Sequence, residues 1–315
     1  MTRILLTGKN GQVGWELQRT LATLGEVIDL GRHDMDLANP DSIRRAVRDH
    51  KPNLIVNAAA YTSVDKAEEE PDLAMATNGV APGILADEAK RLGAVLVHYS
   101  TDYVFDGNTS TPYTEDDTPN PLNVYGKTKL AGERAIQAVG APHLIFRSSW
   151  VYGGRGKNFL LTVLRMARER DEFKIVNDQI GAPTWSRMIA QATAHALTQV
   201  SCRGRTLQDY SGIYHLAATG QTSWFEFADA ILEWAKTKPG YKIKALRPIA
   251  TSEYPTAAER PKYSAMANNK VAEKFSLSIP SWEIMLGLCM SDMGYPDPRV
   301  RGPEIAYMGS VDYPP

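Results

Sequence analysis

Cysteine is scarce in this sequence, since its 315 residues include only Cys202 and Cys289. Two cysteines cannot build the disulfide framework of a small secreted domain, and their separation matches no metal-ligand spacing. Long apolar runs are also missing, because no stretch approaches the roughly 20 apolar residues that a transmembrane helix needs. The chain begins with a strand-like segment at residues 3–7, without the charged and apolar regions of a signal peptide. We therefore expect a soluble protein located in the cytoplasm.

An excess of either charge is missing as well. Lysine and arginine total 35 and aspartate and glutamate total 36, so the formal net charge at pH 7 is -1. This balance excludes the bulk electrostatic attraction that marks nucleic-acid or anionic-membrane partners. Hydrophobic residues make up 43% of the chain, which is enough for a sizeable core.

Short apolar segments alternate with helical patterns through the first half of the chain. The predicted strands are Ile4–Thr7, Glu26–Leu30, Leu54–Asn57, Val95–Ser100 and His143–Arg147. Helices are predicted to begin at Pro40, Pro71 and Tyr125 and to end near Lys51, Gly93 and Gly140. This alternation predicts an α/β fold with a Rossmann-type, doubly wound parallel sheet.

The pattern is less regular after residue 150. Helices are predicted at Asn158–Arg170, Arg187–Val200, Trp224–Thr237 and Trp282–Met290. We expect a dinucleotide-binding domain over residues 1–150, to which some later segments return, and a smaller α/β substrate-binding lobe over residues 151–290. Residues 291–315 contain five prolines without periodicity and are expected to form an extended tail.

A glycine-rich turn lies between the first predicted strand and the first predicted helix. Its spacing is G-x-x-G-x-x-G, at Gly8, Gly11 and Gly14. Such glycines let the backbone turn tightly and approach a pyrophosphate, while the N-terminus of the helix supplies free N–H groups. The predicted cofactor contacts here are Gly8, Asn10, Gly11, Gln12, Val13 and Gly14.

The end of the second strand bears on the choice of cofactor. The familiar dinucleotide-binding pattern has an acid at this point, whereas this chain has Arg32. A guanidinium beside the adenosine ribose suits a 2′-phosphate, which favours NADPH. Asp29 lies nearby and would accept a ribose hydroxyl, so NADH stays open, as does an ordinary surface role for Arg32.

Two residues at the start of one helix suggest proton transfer. Tyr125 and Lys129 are four residues apart and so lie on the same helix face. A tyrosine hydroxyl has an ordinary pKa of about 10, and we expect the nearby ammonium to lower it. Thr101 ends the fourth predicted strand, where ligands of open α/β sheets bind, and is placed to donate to a carbonyl oxygen.

Five longer motifs extend these local signals. They are Asn57–Glu68, Tyr99–Gly107, Pro121–Lys129, Arg147–Tyr152 and Asn177–Thr184. Together they resemble the extended short-chain dehydrogenase/reductase family, and in particular its reductases of nucleotide-linked 4-keto-6-deoxy sugars, over about residues 3–290. The resemblance implies NADPH-dependent reduction of the C4 ketone of dTDP-4-dehydro-L-rhamnose to dTDP-L-rhamnose, which is used for cell-surface polysaccharide.

The resemblance also implies roles for single residues. Tyr125 would donate the proton, Lys129 would tune it and bind the nicotinamide ribose, and Thr101 would orient the ketone. Asp102 and Trp150 would contact the sugar, and Arg260 is a candidate for the diphosphate, with an ordinary helix-end role as its alternative. The further cofactor contacts would be Asp36, Leu37, Ala60, Tyr61, Thr62 and Tyr99.

Two other functions stay open at this point. One is a nucleotide-sugar epimerase or dehydratase, which usually retains NAD tightly, whereas the Gly31-Arg32 strand end suits exchangeable NADPH. A bifunctional epimerase-reductase would need additional acid–base residues, commonly Cys or His, and the matched motifs contain neither. The other is a non-catalytic NADP-binding subunit, like the regulatory subunit of methionine adenosyltransferase, which resembles the same family.

Some reductases of this kind form dimers bridged by a magnesium ion that carboxylates hold. Glu16 occupies one of the corresponding positions, but Arg187 occupies the other, and arginine cannot ligate magnesium. We therefore expect no metal site, and we expect Arg187 to pair with Glu16 of a partner chain if a dimer uses this surface. A monomer and a homodimer are both compatible with the sequence.

Overall fold

The computed structural model describes residues 2–202 and 206–299. The strands are β1 (Arg3–Thr7), β2 (Glu26–Leu30), β3 (Leu54–Asn57), β4 (Val95–Thr101), β5 (His143–Ser148), β6 (Val151–Tyr152), β7 (Glu172–Val176), β8 (Ile180–Gly181), β9 (Thr184–Trp185), β10 (Gly212–His215), β11 (Thr222–Ser223) and β12 (Ala245–Ile249). The α-helices are α1 (Gln12–Leu21), α2 (Pro40–His50), α3 (Val64–Glu69), α4 (Pro71–Met75), α5 (Ala81–Leu92), α6 (Val124–Val139), α7 (Phe159–Glu169), α8 (Ser186–Cys202), α9 (Trp224–Ala235), α10 (Asn269–Phe275) and α11 (Trp282–Asp292).

The central sheet has six parallel strands in the order β10-β5-β4-β3-β1-β2. The chain first adds β2 on one side of β1 and then β3 on the other, and this reversal leaves a crevice at the carboxyl ends of β1 and β3. The five strands predicted from the sequence are all present, and β4 and β5 each extend one residue further, to Thr101 and Ser148. The predicted Rossmann-type fold is confirmed.

Helix ends in the first half follow their capping signals. The Asn39 side chain accepts hydrogen bonds from two backbone N–H groups at the start of α2, and Gly93 and Gly140 end α5 and α6 with φ of 65° and 69°. The predicted helix from Pro71 to Gly93 is instead α4 and α5, joined through a π-helical segment, Ala76–Val80. That segment carries the buried side chain of Asn78.

Apolar layers cover both faces of the sheet, as parallel strands require. One face packs against α2 and α5, through Leu5, Ile55, Leu96, Ile145, Ile43, Val47, Leu85 and Ala89. The other face packs against α1 and α8, through Leu6, Val56, Val97, Phe146, Leu17, Leu21, Ile189 and Leu197. A third core, rich in aromatic residues, joins α7, α9 and α11 and the two-stranded pairs β6-β9, β7-β12 and β8-β11.

The second half of the chain completes the sheet of the first half. β10 pairs in parallel with β5 and forms the sheet edge, while α8 packs against α1. Ser291 and Asp292, which were predicted to lie in an extended tail, form the end of α11, and residues 300–315 lie outside the described residues. None of the helices in the described part of the chain has the length and apolar character to cross a membrane.

Candidate active site

The glycine-rich turn connects β1 to α1 and lines the crevice. Gly8 has a φ of 75°, and a Cβ there would come within 2.8 Å of the Ala58 backbone. A Cβ on Gly14 would stand 2.1 Å from the carbonyl oxygen of Gly8. Glycine at these two positions brings bare backbone and the first N–H groups of α1 to the crevice, an arrangement that suits a phosphate. Asn10, Gly11, Gln12 and Val13 line the same crevice.

A cavity of about 470 Å³ opens on the β2 side of the turn. Its walls include the predicted cofactor residues Arg32, Asp36, Leu37, Ala60 and Tyr61. Arg32 is exposed and has no hydrogen bond or ion pair with any residue in the described ranges, so its guanidinium is available to a ligand.

A second cation that the sequence reasoning missed lies beside this cavity. The Lys9 ammonium contacts the backbone oxygen of Asp29 at 3.2 Å and the carboxylate of Asp34 at 3.1 Å. Asp34 also accepts a hydrogen bond from the Gly31 N–H, and these contacts hold the pKa of its carboxyl below the usual range. Lys9 is therefore tied to the wall, whereas Arg32 is not.

A larger cleft of about 730 Å³ shares the glycine turn and brings the three predicted catalytic residues together. Thr101 lies at the end of β4, and Tyr125 and Lys129 lie on the first turns of α6. The Asn123 side chain caps α6 by accepting from the Gly126 N–H at 2.8 Å. A Cβ on Gly126 would stand 2.1 Å from the Tyr103 carbonyl oxygen, so a glycine here lets α6 lie directly against the end of β4.

Lys129 is almost completely buried although its side chain is cationic. Its Nζ donates to the backbone oxygen of Tyr99 at 2.6 Å and lies 3.2 Å from Nε2 of His98. Burial lowers the pKa of Lys129 to about 8, against the opposing effect of the Glu133 carboxylate.

The expectation that Lys129 lowers the pKa of Tyr125 is wrong for this arrangement. Burial raises the pKa of Tyr125 to about 12, and a hydrogen bond with the Thr101 side chain only partly offsets it. The ammonium that was expected to favour the phenolate is directed instead to Tyr99 and His98. The Tyr125 hydroxyl therefore keeps its proton at neutral pH.

Asp102 follows Thr101 and is also buried. One carboxylate oxygen accepts from the Thr101 hydroxyl at 3.1 Å and the other from the Ser149 hydroxyl at 2.9 Å. Burial raises the pKa of Asp102 to about 6, although these hydrogen bonds favour the charged form. The predicted substrate residue thus lies in the cleft wall and is held by two hydroxyl groups.

Trp150 and Trp224 form an aromatic pair at the cleft. Their rings are stacked, with centroids 3.5 Å apart and an interplanar angle of 5°. Trp150 adopts a φ of 46°, a left-handed conformation that is uncommon for a bulky residue, and its indole lies against Gly181. Trp150 was predicted from the sequence and Trp224 was not, although both line the cleft.

Arg260, the candidate residue for the diphosphate, is engaged by other groups of the same chain in this structure. Its guanidinium forms two hydrogen bonds with the Asp65 carboxylate, at 3.1 and 2.8 Å, and a third with the Ala258 carbonyl oxygen. Only 20% of the Arg260 side chain is exposed, and it is absent from the lining of both cavities. Its partner in this structure is Asp65.

The remaining predicted cofactor residues divide between the two cavities. Thr62 and Tyr99 line the larger cleft, and Ala60 lines both. The Tyr99 hydroxyl is hydrogen-bonded to Thr193 of α8 at 2.8 Å. The Tyr61 hydroxyl donates to Glu70 at 2.6 Å, which raises the pKa of Tyr61 to about 12.

Arg187 is paired within its own chain, contrary to the expected contact with a partner chain. Its guanidinium contacts Glu16 of α1 at 3.1 Å and Asp292 at the end of α11 at 2.7 Å. The reason is topological, because α8 packs against α1 in the same molecule. No cluster of potential metal ligands occurs among residues 2–202 and 206–299.

The sequence reasoning also missed a pair of serines and a histidine near the cleft. Ser100 and Ser148 are both more than nine-tenths buried, line the cleft, and have hydroxyl groups without a hydrogen-bond partner among the described residues. His98 is buried behind the cleft against Lys129 and does not line it. One signal was available for His98, since it is a single histidine inside the apolar segment that precedes Thr101.

The residues present fit an NADP cofactor. The glycine turn provides a cradle that a Cβ would fill, Arg32 is a free cation at the adjoining cavity, and two orphan hydroxyl groups face the cleft beside Lys129. A dinucleotide with a phosphate at one end and polar groups at the other matches this series of sites.

Comparison with known proteins agrees with this geometry. The model of the RmlD substrate binding domain family matches residues 1–294. A dTDP-4-dehydrorhamnose reductase of Burkholderia thailandensis is 50% identical over 92% of this chain and 99% of its own, and one of Escherichia coli K12 is 47% identical over 89% and 94%. The crystal structure of dTDP-4-dehydrorhamnose reductase from Bacillus anthracis in complex with NADP has a TM-score of 0.83 and 36% identity, covering 92% of this chain and 99% of that one. The chain belongs to the dTDP-4-dehydrorhamnose reductase family, as its motifs predict.

Proposed function

We propose that this protein reduces the C4 ketone of dTDP-4-dehydro-L-rhamnose to dTDP-L-rhamnose with NADPH. The observation that carries the proposal is the convergence of Thr101, Tyr125 and Lys129 beside a glycine cradle, in a chain that is 50% identical to a named reductase. The cytoplasmic location that the composition predicts is part of the proposal, and so is the division into a cofactor domain and a lobe at residues 151–290 that mainly binds the substrate.

NADPH supplies the hydride when it is bound. The glycine turn at residues 8–14 would hold its pyrophosphate through backbone N–H groups, and Arg32 would hold the 2′-phosphate. Lys129 has one ammonium hydrogen left after its contacts with Tyr99 and His98, and this hydrogen would bind the nicotinamide ribose.

Thr101 and Tyr125 would act on the ketone oxygen. The Thr101 hydroxyl, which donates to Asp102 in this structure, would turn to donate a hydrogen bond that holds the ketone oxygen in place. The Tyr125 hydroxyl would give up its proton as negative charge develops there. A tyrosine with a pKa of about 12 suits this direction of reaction, because it is protonated before turnover. The corrected pKa of Tyr125 thus supports a proton donor rather than a base.

The sugar would lie between Asp102 and the stacked indoles of Trp150 and Trp224. Asp102 offers carboxylate oxygens to sugar hydroxyl groups, and an aromatic face suits the apolar C–H surface of a deoxy sugar. Arg260 stays a proposal for the diphosphate, and it would have to exchange Asp65 for that group.

The function is tested by turnover in deuterated water. We expect NADPH-dependent formation of the C4 alcohol without enzyme-dependent deuterium at C3 or C5, because His98 lies outside the cleft lining and Cys289 is buried. NMR spectroscopy of the product measures both the formation of the alcohol and the incorporation of deuterium. Deuterium uptake would favour an epimerase, and NADPH binding without turnover would favour a non-catalytic subunit.

Cofactor preference depends on Arg32. We expect Arg32→Ala to reduce the preference for NADPH over NADH by roughly 10- to 150-fold, since a hydrogen bond to a charged group contributes about 1.5–3 kcal/mol. The measurement is kcat/KM with each cofactor. Arg91→Ala is the matched control, because Arg91 is an exposed arginine paired with Asp87 on α5. An unchanged preference in Arg32→Ala would contradict the assignment.

Activity and assembly are expected to be independent of magnesium. Arg187 places a cation against Glu16 and Asp292, and a divalent cation would have to displace it. Turnover and gel filtration in EDTA, compared with samples to which magnesium is restored, test this expectation. A loss of turnover or a change of oligomeric state in EDTA would overturn it.

A further inference from the structure

A line of buried polar side chains crosses the sheet and ends at Lys129. The Thr7 hydroxyl at the end of β1 is 2.7 Å from the amide oxygen of Asn57, and the amide nitrogen of Asn57 is 3.0 Å from Nδ1 of His98. Nε2 of the same ring is 3.2 Å from Nζ of Lys129. All four side chains have a residue exposure of 2% or less. These four side chains therefore form hydrogen bonds mainly with one another.

The line also begins at the cofactor cradle. Thr7 precedes Gly8, and its hydroxyl accepts a hydrogen bond from the Ala59 N–H at 3.2 Å. Ala59 lines both cavities. If donors and acceptors along this line were reversed together, the change would couple the glycine turn of the cofactor site to Lys129 at the proton-transfer site.

The ring of His98 is neutral, because burial and the nearby Lys129 hold its pKa well below the usual range. A neutral imidazole has one N–H donor and one lone pair. With the Asn57 amide nitrogen facing Nδ1, that nitrogen accepts and the proton sits on Nε2, directed at Nζ of Lys129. An ammonium cannot accept this proton, whereas a neutral amine can.

The opposite direction suits the ammonium. If the Asn57 amide turns its oxygen to the ring, Nδ1 carries the proton and Nε2 offers its lone pair to Lys129. The Asn57 nitrogen then donates to the Thr7 hydroxyl, which can still accept from Ala59. The first direction also satisfies the Thr7 hydroxyl hydrogen, which the Asn57 amide oxygen accepts, whereas the second direction removes that acceptor. Thr7 thus biases the line toward the first direction, and each direction goes with one charge state of the lysine.

We propose that His98 is a positioning residue for the reduction: its ring holds Nζ of Lys129, and its hydrogen bonds with Asn57 and Thr7 select whether the ring offers that nitrogen a lone pair or a proton. The proposal rests on the proposed function, because it deepens the role of Lys129 in that reaction. His98 itself touches neither substrate nor cofactor, since it lies behind the cleft wall.

Few other charged groups influence the charge state of Lys129. Among the described residues, His98 and Tyr99 on β4 contact Nζ of Lys129, and Glu133 on α6 is the charged group that acts on its pKa. Glu133 favours the ammonium, but it is itself bound to Arg147. The pKa of Lys129, about 8, lies where both charge states are populated near neutral pH, so a modest change in its hydrogen bonds alters the balance.

The test replaces the ring of His98 and measures the titration of Lys129 directly. In His98→Leu the lysine loses the ring, so we expect the pKa of Lys129 to shift by about one unit or more, because a hydrogen bond to a charged group contributes about 1.5–3 kcal/mol. A fall shows that the ring offers its lone pair to the ammonium, and a rise shows that it offers its proton to the amine. Titration of ¹³C-labelled lysine by NMR, with Lys129→Arg to assign the signal, measures this shift without turnover. The alkaline limb of kcat should move by the same amount, with kcat lowered roughly 10-fold or more.

Conservative variants separate positioning from folding. His98→Gln keeps an amide donor and acceptor and should restore most of the lysine pKa and of kcat. Thr7→Val removes the far end of the line without touching Lys129 and should still shift the lysine titration. His143→Gln, at a buried histidine whose ring is hydrogen-bonded to the backbone oxygen of Ala141, should shift neither.

The outcomes are distinguishable. A folded His98→Leu with the wild-type lysine titration overturns the proposal, and so does an unchanged titration in Thr7→Val if His98→Leu fails to fold. A wild-type protein that does not reduce the sugar would instead overturn the proposed function, while the lysine titration still decides the role of His98.

Discussion

Replacement of Tyr125 by phenylalanine is expected to slow reduction by roughly 10²- to 10⁴-fold while NADPH still binds, because general acid catalysis typically contributes this much. Phenylalanine keeps the ring and its edge-to-face contact with Tyr103, whose centroid is 5.6 Å away. The substitution therefore removes the hydroxyl and leaves the packing of α6 unchanged. The measurement is kcat at saturating NADPH together with the dissociation constant of NADPH.

A matched substitution controls for the loss of a buried tyrosine hydroxyl. Tyr210 is buried, stacks on Phe275 with centroids 5.3 Å apart, and has a hydroxyl to which no residue in the described ranges is hydrogen-bonded. Tyr210→Phe should retain turnover. A Tyr125→Phe protein with kcat within a factor of two of wild type would remove Tyr125 from the mechanism.

The same reasoning gives the pH dependence of the reduction. Tyr125, with a pKa of about 12, stays protonated through the neutral range, whereas Lys129, with a pKa of about 8, does not. As the pH rises, the ammonium is lost first, and we expect kcat to fall near pH 8 for that reason. A rate that stays level to well above this pH would show that the charge of Lys129 is not required.

Removal of Glu133 is expected to lower the free energy of unfolding by about 3–5 kcal/mol, because it leaves a buried guanidinium without its counterion. Arg147 and Glu133 face each other inside the protein, with side-chain exposures of 2% and 1% and hydrogen bonds of 2.9 and 2.7 Å. The remaining Arg147 nitrogen, Nη1, has no hydrogen-bond partner within residues 2–202 and 206–299, so the carboxylate is the main compensation for the charge. Urea unfolding of Glu133→Leu measures the loss.

The double variant Glu133→Leu/Arg147→Met distinguishes the pair from its surroundings. Replacement of a whole buried ion pair by apolar residues of similar volume is often neutral or stabilising. We therefore expect most of the lost stability to return. Asp87→Ala, which breaks the exposed pair with Arg91, should cost less than about 1 kcal/mol. A double variant as unstable as Glu133→Leu would show that packing, rather than the unpaired charge, causes the loss.

The sequence predicts those parts of the fold and site that depend on local patterns. The strands of the sheet, the caps at Asn39, Gly93 and Gly140, and the glycine turn each follow from a few neighbouring residues. Thr101 could be assigned because ligands of such sheets bind at strand ends. Tyr125 and Lys129 share a helix face that spacing alone defines.

The features that were missed depend on contacts between distant segments. Trp224 joins the site by stacking on Trp150, which lies 74 positions earlier in the sequence. No local sequence pattern predicts that contact. The in-chain pairing of Arg187 with Glu16 depends on how α8 packs against α1. The pKa of Tyr125 depends on burial, which the spacing of Tyr125 and Lys129 does not reveal.

The position of β10 and α8 has a consequence for how the chain folds during synthesis. Until residues 186–215 emerge from the ribosome, β5 is an open sheet edge and the apolar face of α1 lacks α8. Open edges and bare apolar faces promote aggregation of nascent chains. Translation proceeds at about 5–20 residues per second, so some seconds pass before β10 is available to pair with β5. We therefore expect the nascent chain to be most prone to aggregation over that interval, and we expect a polypeptide cut before β10 to keep the same surfaces exposed.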